Sequence, residues 1–78
     1  MKPQTVIAEV ADQFVVRPDE ILGRQRRPDL DEARAVIAYR LWAETDMTLQ
    51  AIGDAMGGRH YSTVVHLRDR HRLRCMVA

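Results

Sequence analysis

Apolar side chains recur every three or four positions between residues 5 and 14, which predicts an amphipathic helix. Its apolar members are Val6, Ile7, Val10, Ala11 and Phe14. The pattern breaks at residues 15–17, and Pro18 then suits the first turn of a short second helix because its φ angle is already helical. Asp19 fits the same turn, since an acidic side chain stabilises the positive end of a helix dipole. Gly23 ends this second helix.

The middle of the chain predicts a third, longer helix. Asp29 and Glu32 have the spacing of a capping box, which starts the helix near Leu30 with Asp29 or Asp31 as its cap. The helix then runs to about Thr45. Its apolar stripe consists of Ala33, Val36, Ile37 and Leu41, with Tyr39 and Trp42 on its flanks. We expect both aromatic side chains to pack against the rest of the domain.

Two more helices complete the pattern. Thr48 is a suitable N-cap for a fourth helix over residues 49–56, because its hydroxyl accepts from a free backbone N–H group. The side chains of this helix that face the core are Leu49, Ile52 and Met56. A fifth helix begins around residues 60–62 and continues to about residue 73 or 74. Five short helices with no strand candidate predict an all-α fold, arranged as a compact bundle.

The fourth helix, a glycine pair and the fifth helix are the parts of a helix-turn-helix. The tight turn requires Gly57 and Gly58, because a Cβ atom opposes the backbone angles of such a reversal. The side chains predicted to face the bundle are Val64, Leu67 and the stem of Arg68, flanked by Tyr61 and His71. Those predicted to face outward are Ser62, His66, Asp69 and Arg70, with Thr63 near the boundary. Short polar side chains at the start of such a helix are typical of a recognition helix.

Size and composition limit the class of protein. The chain has 78 residues, which predicts a single domain over residues 1–78 with its core within about residues 5–74. No run approaches the roughly 18 apolar residues of a membrane helix, and the N-terminus lacks the pattern of a signal peptide. Because Cys75 is the one cysteine, no internal disulfide is possible, and a cytoplasmic protein is the simplest interpretation. Without a heptad seam, a monomer is expected.

The basic residues cluster, although the net charge is only +1. Eleven of the twelve are arginine. One group contains Arg24, Arg26 and Arg27, and the other contains Arg59, Arg68, Arg70, Arg72 and Arg74. A near-neutral protein with segregated charge still presents a positive face. Arginine is informative there, because its planar guanidinium matches phosphate groups and guanine edges better than an ammonium group does.

The run IGDAMGGRHYSTVVHL, residues 52–67, resembles the signature of the C-terminal DNA-binding domain of the bacterial replication initiator DnaA. The matching residues are Ile52, Gly53, Gly57, Gly58, Arg59, Ser62, Thr63, Val64 and His66. The resemblance continues upstream through the first helix, the arginine loop and the Ala33-Arg34 entry to the long helix. It covers roughly residues 5–74, and the portion from Gly57 to His66 is the most specific.

This resemblance implies sequence-specific binding of double-stranded DNA. The arginine loop, with Arg24, Arg26 and Arg27, is expected in the minor groove or on phosphates. The residues expected to read the major groove are Arg59, His60, Tyr61, Ser62 and Thr63. His66 is either a phosphate contact or a structural histidine bonded to neighbouring backbone. The resemblance leaves open a role in replication initiation at an origin, in transcription regulation or in a phage.

The sequence departs from the family pattern at two points. Where the family has Asp-His, this chain has His60-Tyr61, so a carboxylate that accepts from cytosine or caps the helix is missing. We therefore do not expect the family's recognition sequence to be kept intact. The arginine loop also runs into acidic residues at 29–32, which either weaken phosphate contact or cap the third helix.

The sequence has no GxxxxGKS/T loop, so the ATPase machinery of the full initiator is absent from this chain. An excised domain and a free-standing small protein both remain open. The position of Met1 shortly before the first helix favours the free-standing protein.

Other functions have weaker support. A protein-interaction module that keeps the fold without binding DNA is the main alternative, supported by His60-Tyr61 and by the acidic residues 29–32. A metal site is not expected, because only His71 and Cys75 have the spacing of two ligands on one helix face. The chain also lacks a nucleophile motif, so we expect no enzyme activity, no cofactor and no small-molecule substrate.

Overall fold

The computed structural model describes residues 2–77, which form five α-helices and, within that range, no strand. The helices are α1 (Pro3–Phe14), α2 (Pro18–Leu22), α3 (Pro28–Glu44), α4 (Leu49–Ala55) and α5 (Tyr61–Val77). Helix α3 is central, since it packs against α1, α2, α4 and α5. The predicted all-α bundle of five helices is confirmed.

Proline starts three of the helices. Pro3, Pro18 and Pro28 each occupy the first turn of α1, α2 and α3, where the missing N–H group costs no helical hydrogen bond. Helix α1 ends at Val15, which takes the left-handed conformation with φ 55°. Gly23 does follow the end of α2, but its φ of −81° and ψ of −167° are extended and not left-handed.

The capping box predicted for α3 is wrong. The helix begins at Pro28, its N-cap is Arg27, and no side chain caps it. Because the proline already sets a helical φ angle, Asp29 lies inside the first turn, where its carboxylate accepts from the N–H of Leu30 at 2.9 Å. A carboxylate reaches back to an N-cap in α2 instead, where Glu20 accepts from the N–H of Arg17 at 3.0 Å.

All five helices contribute side chains to the core. Its buried side chains are Val6, Ile7, Val10, Ala11, Ile21, Leu30, Ala33, Ile37, Ala38, Leu41, Ile52, Met56 and Val64. Predicted core positions at Phe14, Val36, Leu49 and Leu67 are only partly buried, at the edge of this cluster. No helix in the described part of the chain is long and apolar enough to span a bilayer.

Candidate nucleic-acid interface

Helix α4, its turn and α5 form the predicted helix-turn-helix. Thr48 caps α4, its Oγ1 accepting from the N–H of Ala51 at 3.1 Å, as predicted. The turn has positive φ angles at Gly57 (92°) and Gly58 (80°), the left-handed region that a Cβ atom disfavours. A Cβ atom at Gly57 would also lie 2.3 Å from the carbonyl oxygen of Leu22. The turn is therefore pressed against the end of α2.

Gly53 has a packing role that the apolar pattern of α4 does not predict. A Cβ atom at this position would lie 2.1 Å from the carbonyl oxygen of Arg59, so the turn folds back directly onto α4. The Gly53 carbonyl oxygen accepts from the N–H groups of Gly58 at 3.1 Å and Arg59 at 2.9 Å. A glycine inside a predicted helix weakens that helix, so its presence at position 53 indicates that another segment packs closely there.

The start of α5 is exposed on one side and anchored on the other. Val64 is fully buried, whereas Tyr61, Ser62 and Thr63 are exposed. His60, just before the helix, is exposed as well. The first turn of α5 thus presents Ser62 and Thr63 to solvent, whereas Tyr61, predicted to flank the side that faces the bundle, is 52% exposed because it is the first residue of α5, at the edge of the bundle.

His60 is the N-terminal cap of α5. Its Nδ1 accepts a hydrogen bond from the backbone N–H of Ser62 at 3.2 Å and lies 2.8 Å from the Ser62 hydroxyl oxygen. Its ring also lies beside the ring of Tyr61, with 4.4 Å between the centroids. The two exposed rings therefore lie side by side next to Ser62 and Thr63 at the tip of α5.

The arginine loop, residues 24–27, lies next to this helix tip. Arg24 and Arg26 are exposed, and Arg24 donates to the carbonyl oxygen of Gly57 at 3.2 Å. Arg27 instead pairs with Glu20 and with Asp29, each at 3.0 Å. The Arg27 guanidinium, by hydrogen bonding, lowers the pKa of the Asp29 carboxyl. Arg26 makes no hydrogen bond or ion pair with the residues that the structure describes.

Arg34 of α3 holds the arginine loop and the end of α2 in place, a role that was not among the sequence predictions. Its side chain is buried within α3 and donates to backbone carbonyl oxygens on α2 and in the loop. The acceptors are Glu20 (3.0 Å), Ile21 (2.9 Å), Gly23 (3.2 Å) and Gln25 (2.8 Å). Asp31 adds a carboxylate contact at 3.3 Å. The position of Arg34 between two alanines, beside the apolar stripe of α3, was the sequence feature that indicated a buried arginine.

Arg59 points inward and not toward the exposed tip. Its guanidinium donates to the carbonyl oxygen of Gly23 at 2.6 Å and also to that of Met56. Burial, reinforced by the charges of Arg34 and Arg24, lowers the pKa of Arg59. In this structure Arg59 links the turn to the arginine loop, and a direct base contact by Arg59 stays a prediction.

The loop and the helix tip together line one cleft. Its walls carry Arg24, Arg26, Asp31, Arg34, Gly58, Arg59, His60, Thr63 and Leu67. Four of these residues are arginines and one is a carboxylate, so the cleft is positively charged. His66 is exposed one turn further along α5, and its imidazole has no hydrogen-bond partner among residues 2–75. Eight of the nine predicted site residues, all but Arg27, thus line this cleft or adjoin it on the same helix.

The later part of α5 has a different role. Trp42 of α3 is partly exposed and lies under Arg68, whose guanidinium carbon is 4.8 Å from the ring centroid, and Arg72, at 5.9 Å. The Tyr39 ring lies 5.1 Å from that of His71. The two aromatic residues pack between α3 and α5, which matches the packing role expected for them.

The fold and the exposed tip define a class: an all-α domain built around a helix-turn-helix. A family model described as the bacterial dnaA protein helix-turn-helix matches residues 3–70. The chain belongs to this family.

Its relatives carry the domain as a small part of a longer protein. The chain is 35% identical over 68 residues to the chromosomal replication initiator protein DnaA of Synechocystis, covering 87% of the chain and 15% of that protein. The DnaA of Cutibacterium acnes is 39% identical over 64 residues, 82% of the chain and 13% of that protein. The DnaA of Corynebacterium jeikeium is 37% identical over 70 residues, which cover 90% of the chain and 12% of that protein. No solved structure gives a significant match.

Proposed function

We propose that this domain binds duplex DNA in a sequence-specific manner, as part of a replication-initiator-like or small regulatory protein. The first turn of α5 enters the major groove, where His60, Tyr61, Ser62 and Thr63 face base edges. Arg24 and Arg26 follow the adjacent minor groove or its phosphates. The main support for this proposal is that the exposed helix tip and the arginine loop line the same positively charged cleft.

The remaining predicted contacts have different parts in this proposal. Arg27 shares its charge with two carboxylates and contributes to the positive field around the loop. Arg59 acts by holding the loop against the turn. His66, exposed on the same face of α5, reaches a phosphate beside the groove.

The acidic residues 29–32 do not oppose DNA binding in this arrangement. Asp29 pairs with Arg27 at 3.0 Å, Asp31 contacts Arg34 at 3.3 Å, and Glu32 pairs with Arg74. Each carboxylate thus has a guanidinium beside it and is partly neutralised. This removes one of the two reasons for preferring a protein-interaction module.

Selection from a pool of random duplexes, followed by mobility-shift titration, tests the proposal. The native protein is expected to enrich one sequence and to lose affinity steeply with salt, because arginine–phosphate contacts release counterions. Thr63→Ala is expected to relax the selected sequence. Arg72→Ala, which lies on the Trp42 side of α5, is the matched control and is expected to bind like the native domain. A protein that enriches no sequence and shows no salt dependence would contradict the proposal.

A further inference from the structure

The capping bond of His60 determines where its proton lies. A ring nitrogen that accepts from a backbone N–H group carries no proton, and Nδ1 of His60 accepts from Ser62 at 3.2 Å. The neutral imidazole therefore has its proton on Nε2. The Ser62 hydroxyl, 2.8 Å from the same Nδ1, is consistent with this tautomer because it too can donate.

The Nε2–H group is available to a ligand. Nε2 lies on the opposite edge of the ring from the capping nitrogen and has no hydrogen-bond partner in the described part of the chain. The side chain is exposed and lines both the arginine cleft and a second cleft formed with Gln50, Asp54 and Tyr61. His60 thus presents one donor, between two clefts, at the tip of the exposed helix.

The cap also holds the direction of this donor. If the ring turned to present Nδ1, the Ser62 N–H group would lose its partner, because an N–H group in the first turn of a helix has no carbonyl group of a preceding turn to bond. The Tyr61 ring, at 4.4 Å, restricts the tilt of the imidazole further. A donor held in this way favours acceptors and disfavours donors.

We infer that His60 is a specificity-determining residue that donates its Nε2–H to a guanine in the major groove. The inference rests on the proposed function. Guanine presents two neighbouring acceptors, N7 and O6, to the major groove, whereas adenine has an amino donor beside its one acceptor, thymine has a methyl group beside its one acceptor, and cytosine presents the N4 amino donor. An Nε2–H group facing cytosine N4 would place two donors together. The recognised site therefore contains one guanine whose identity depends on His60.

The test compares three proteins by duplex selection: the native domain, His60→Ala and His60→Asp. Aspartate keeps an acceptor that caps α5 but has no donor, so it separates loss of the cap from loss of the base contact. The native domain is expected to select a guanine at one position where both variants no longer prefer it. Circular dichroism of His60→Asp is expected to match that of the native domain.

Base analogues then identify the atom. In the selected duplex, 7-deazaguanine removes N7 and 2-aminopurine removes O6 from that position. One of the two analogues is expected to weaken native binding by about 5-fold or more and to leave His60→Asp binding unchanged. If both variants select the same sequence as the native domain, or if neither analogue weakens native binding, the inference is wrong although the protein still binds DNA. If the native domain selects no sequence, the proposed function itself fails.

Discussion

The guanidinium of Arg59 donates a 2.6 Å hydrogen bond to the carbonyl oxygen of Gly23, which lies 36 residues earlier in the chain. In the opposite direction, Arg24 donates to the carbonyl oxygen of Gly57 at 3.2 Å. Each of the two segments thus supplies one arginine and one carbonyl group to the other. The distance between the arginine loop and the tip of α5 is set by the protein before any ligand binds.

Arg59→Lys is expected to loosen this connection. An ammonium group cannot reach the Gly23 and Met56 carbonyl groups in the same forked geometry, so one acceptor loses its charged donor. We expect the free energy of unfolding to fall by about 1.5–3 kcal/mol, measured by urea denaturation. DNA affinity should fall in parallel. A lysine variant with native stability would show that the connection is not required.

Arg34→Met is expected to be more damaging. The methionine fills a similar volume but removes the guanidinium donor of four backbone carbonyl groups. Gly23 keeps the Arg59 guanidinium and Glu20 keeps the Gly23 N–H, whereas the carbonyl groups of Ile21 and Gln25 keep no donor among the described residues. Because each group left unsatisfied costs about 1–3 kcal/mol, we expect a loss of at least about 2 kcal/mol in urea denaturation. Arg40→Met is the control, since Arg40 pairs with Glu9 and Glu44, which are largely exposed, and is expected to cost at most about 1 kcal/mol. Equal losses in the two variants would contradict this account.

Alanine at the two turn glycines is expected to have unequal effects. Both positions have positive φ, which costs an L-residue about 1–2 kcal/mol. At Gly58 nothing lies within 4 Å of the new Cβ atom, so Gly58→Ala should cost only that amount. At Gly57 the Cβ atom would lie 2.3 Å from the Leu22 oxygen, so Gly57→Ala should cost clearly more. Thermal unfolding of the two variants is expected to give a lower melting temperature for Gly57→Ala than for Gly58→Ala.

Arg26→Ala is expected to change the salt dependence of DNA binding without changing the fold. The Arg26 side chain is exposed and has no ion-pair partner among the described residues, so its charge is available to a phosphate. The slope of log affinity against log salt should become shallower by about 1. Arg17→Ala, whose arginine pairs with Asp19 at 2.6 Å, should leave the slope unchanged. An unchanged slope in Arg26→Ala would remove this residue from the proposed interface.

Acid is expected to weaken the start of α3. Hydrogen bonding to Arg27 lowers the pKa of Asp29, so the folded state favours the ionised carboxylate. This contribution is present above the ordinary carboxyl pKa and is lost as pH falls through the lowered value. Asp29→Asn should therefore reduce the dependence of the melting temperature on pH in that acid range. The difference will be small, because both side chains are exposed.

The helices were largely predictable from the sequence, and the side-chain directions at the site were not. Periodic apolar positions and the Thr48 cap located α1, α4 and the start of α5, because these signals are local. Helix α3 begins two residues before the predicted start, because Pro28 sets a helical φ angle ahead of Asp29. The directions of Arg34 and Arg59 depend on carbonyl groups of α2 and the arginine loop, which come together only in the folded domain. Apart from the alanines on either side of Arg34, no local pattern distinguishes such an arginine from one that faces solvent.

The position of Trp42 makes the domain its own fluorescent reporter. It is the one tryptophan of the chain, and its ring extends from α3 to contact two arginines of α5. The emission of Trp42 therefore reports the separation of α5 from α3. Unfolding of the domain can thus be followed by fluorescence without an added label.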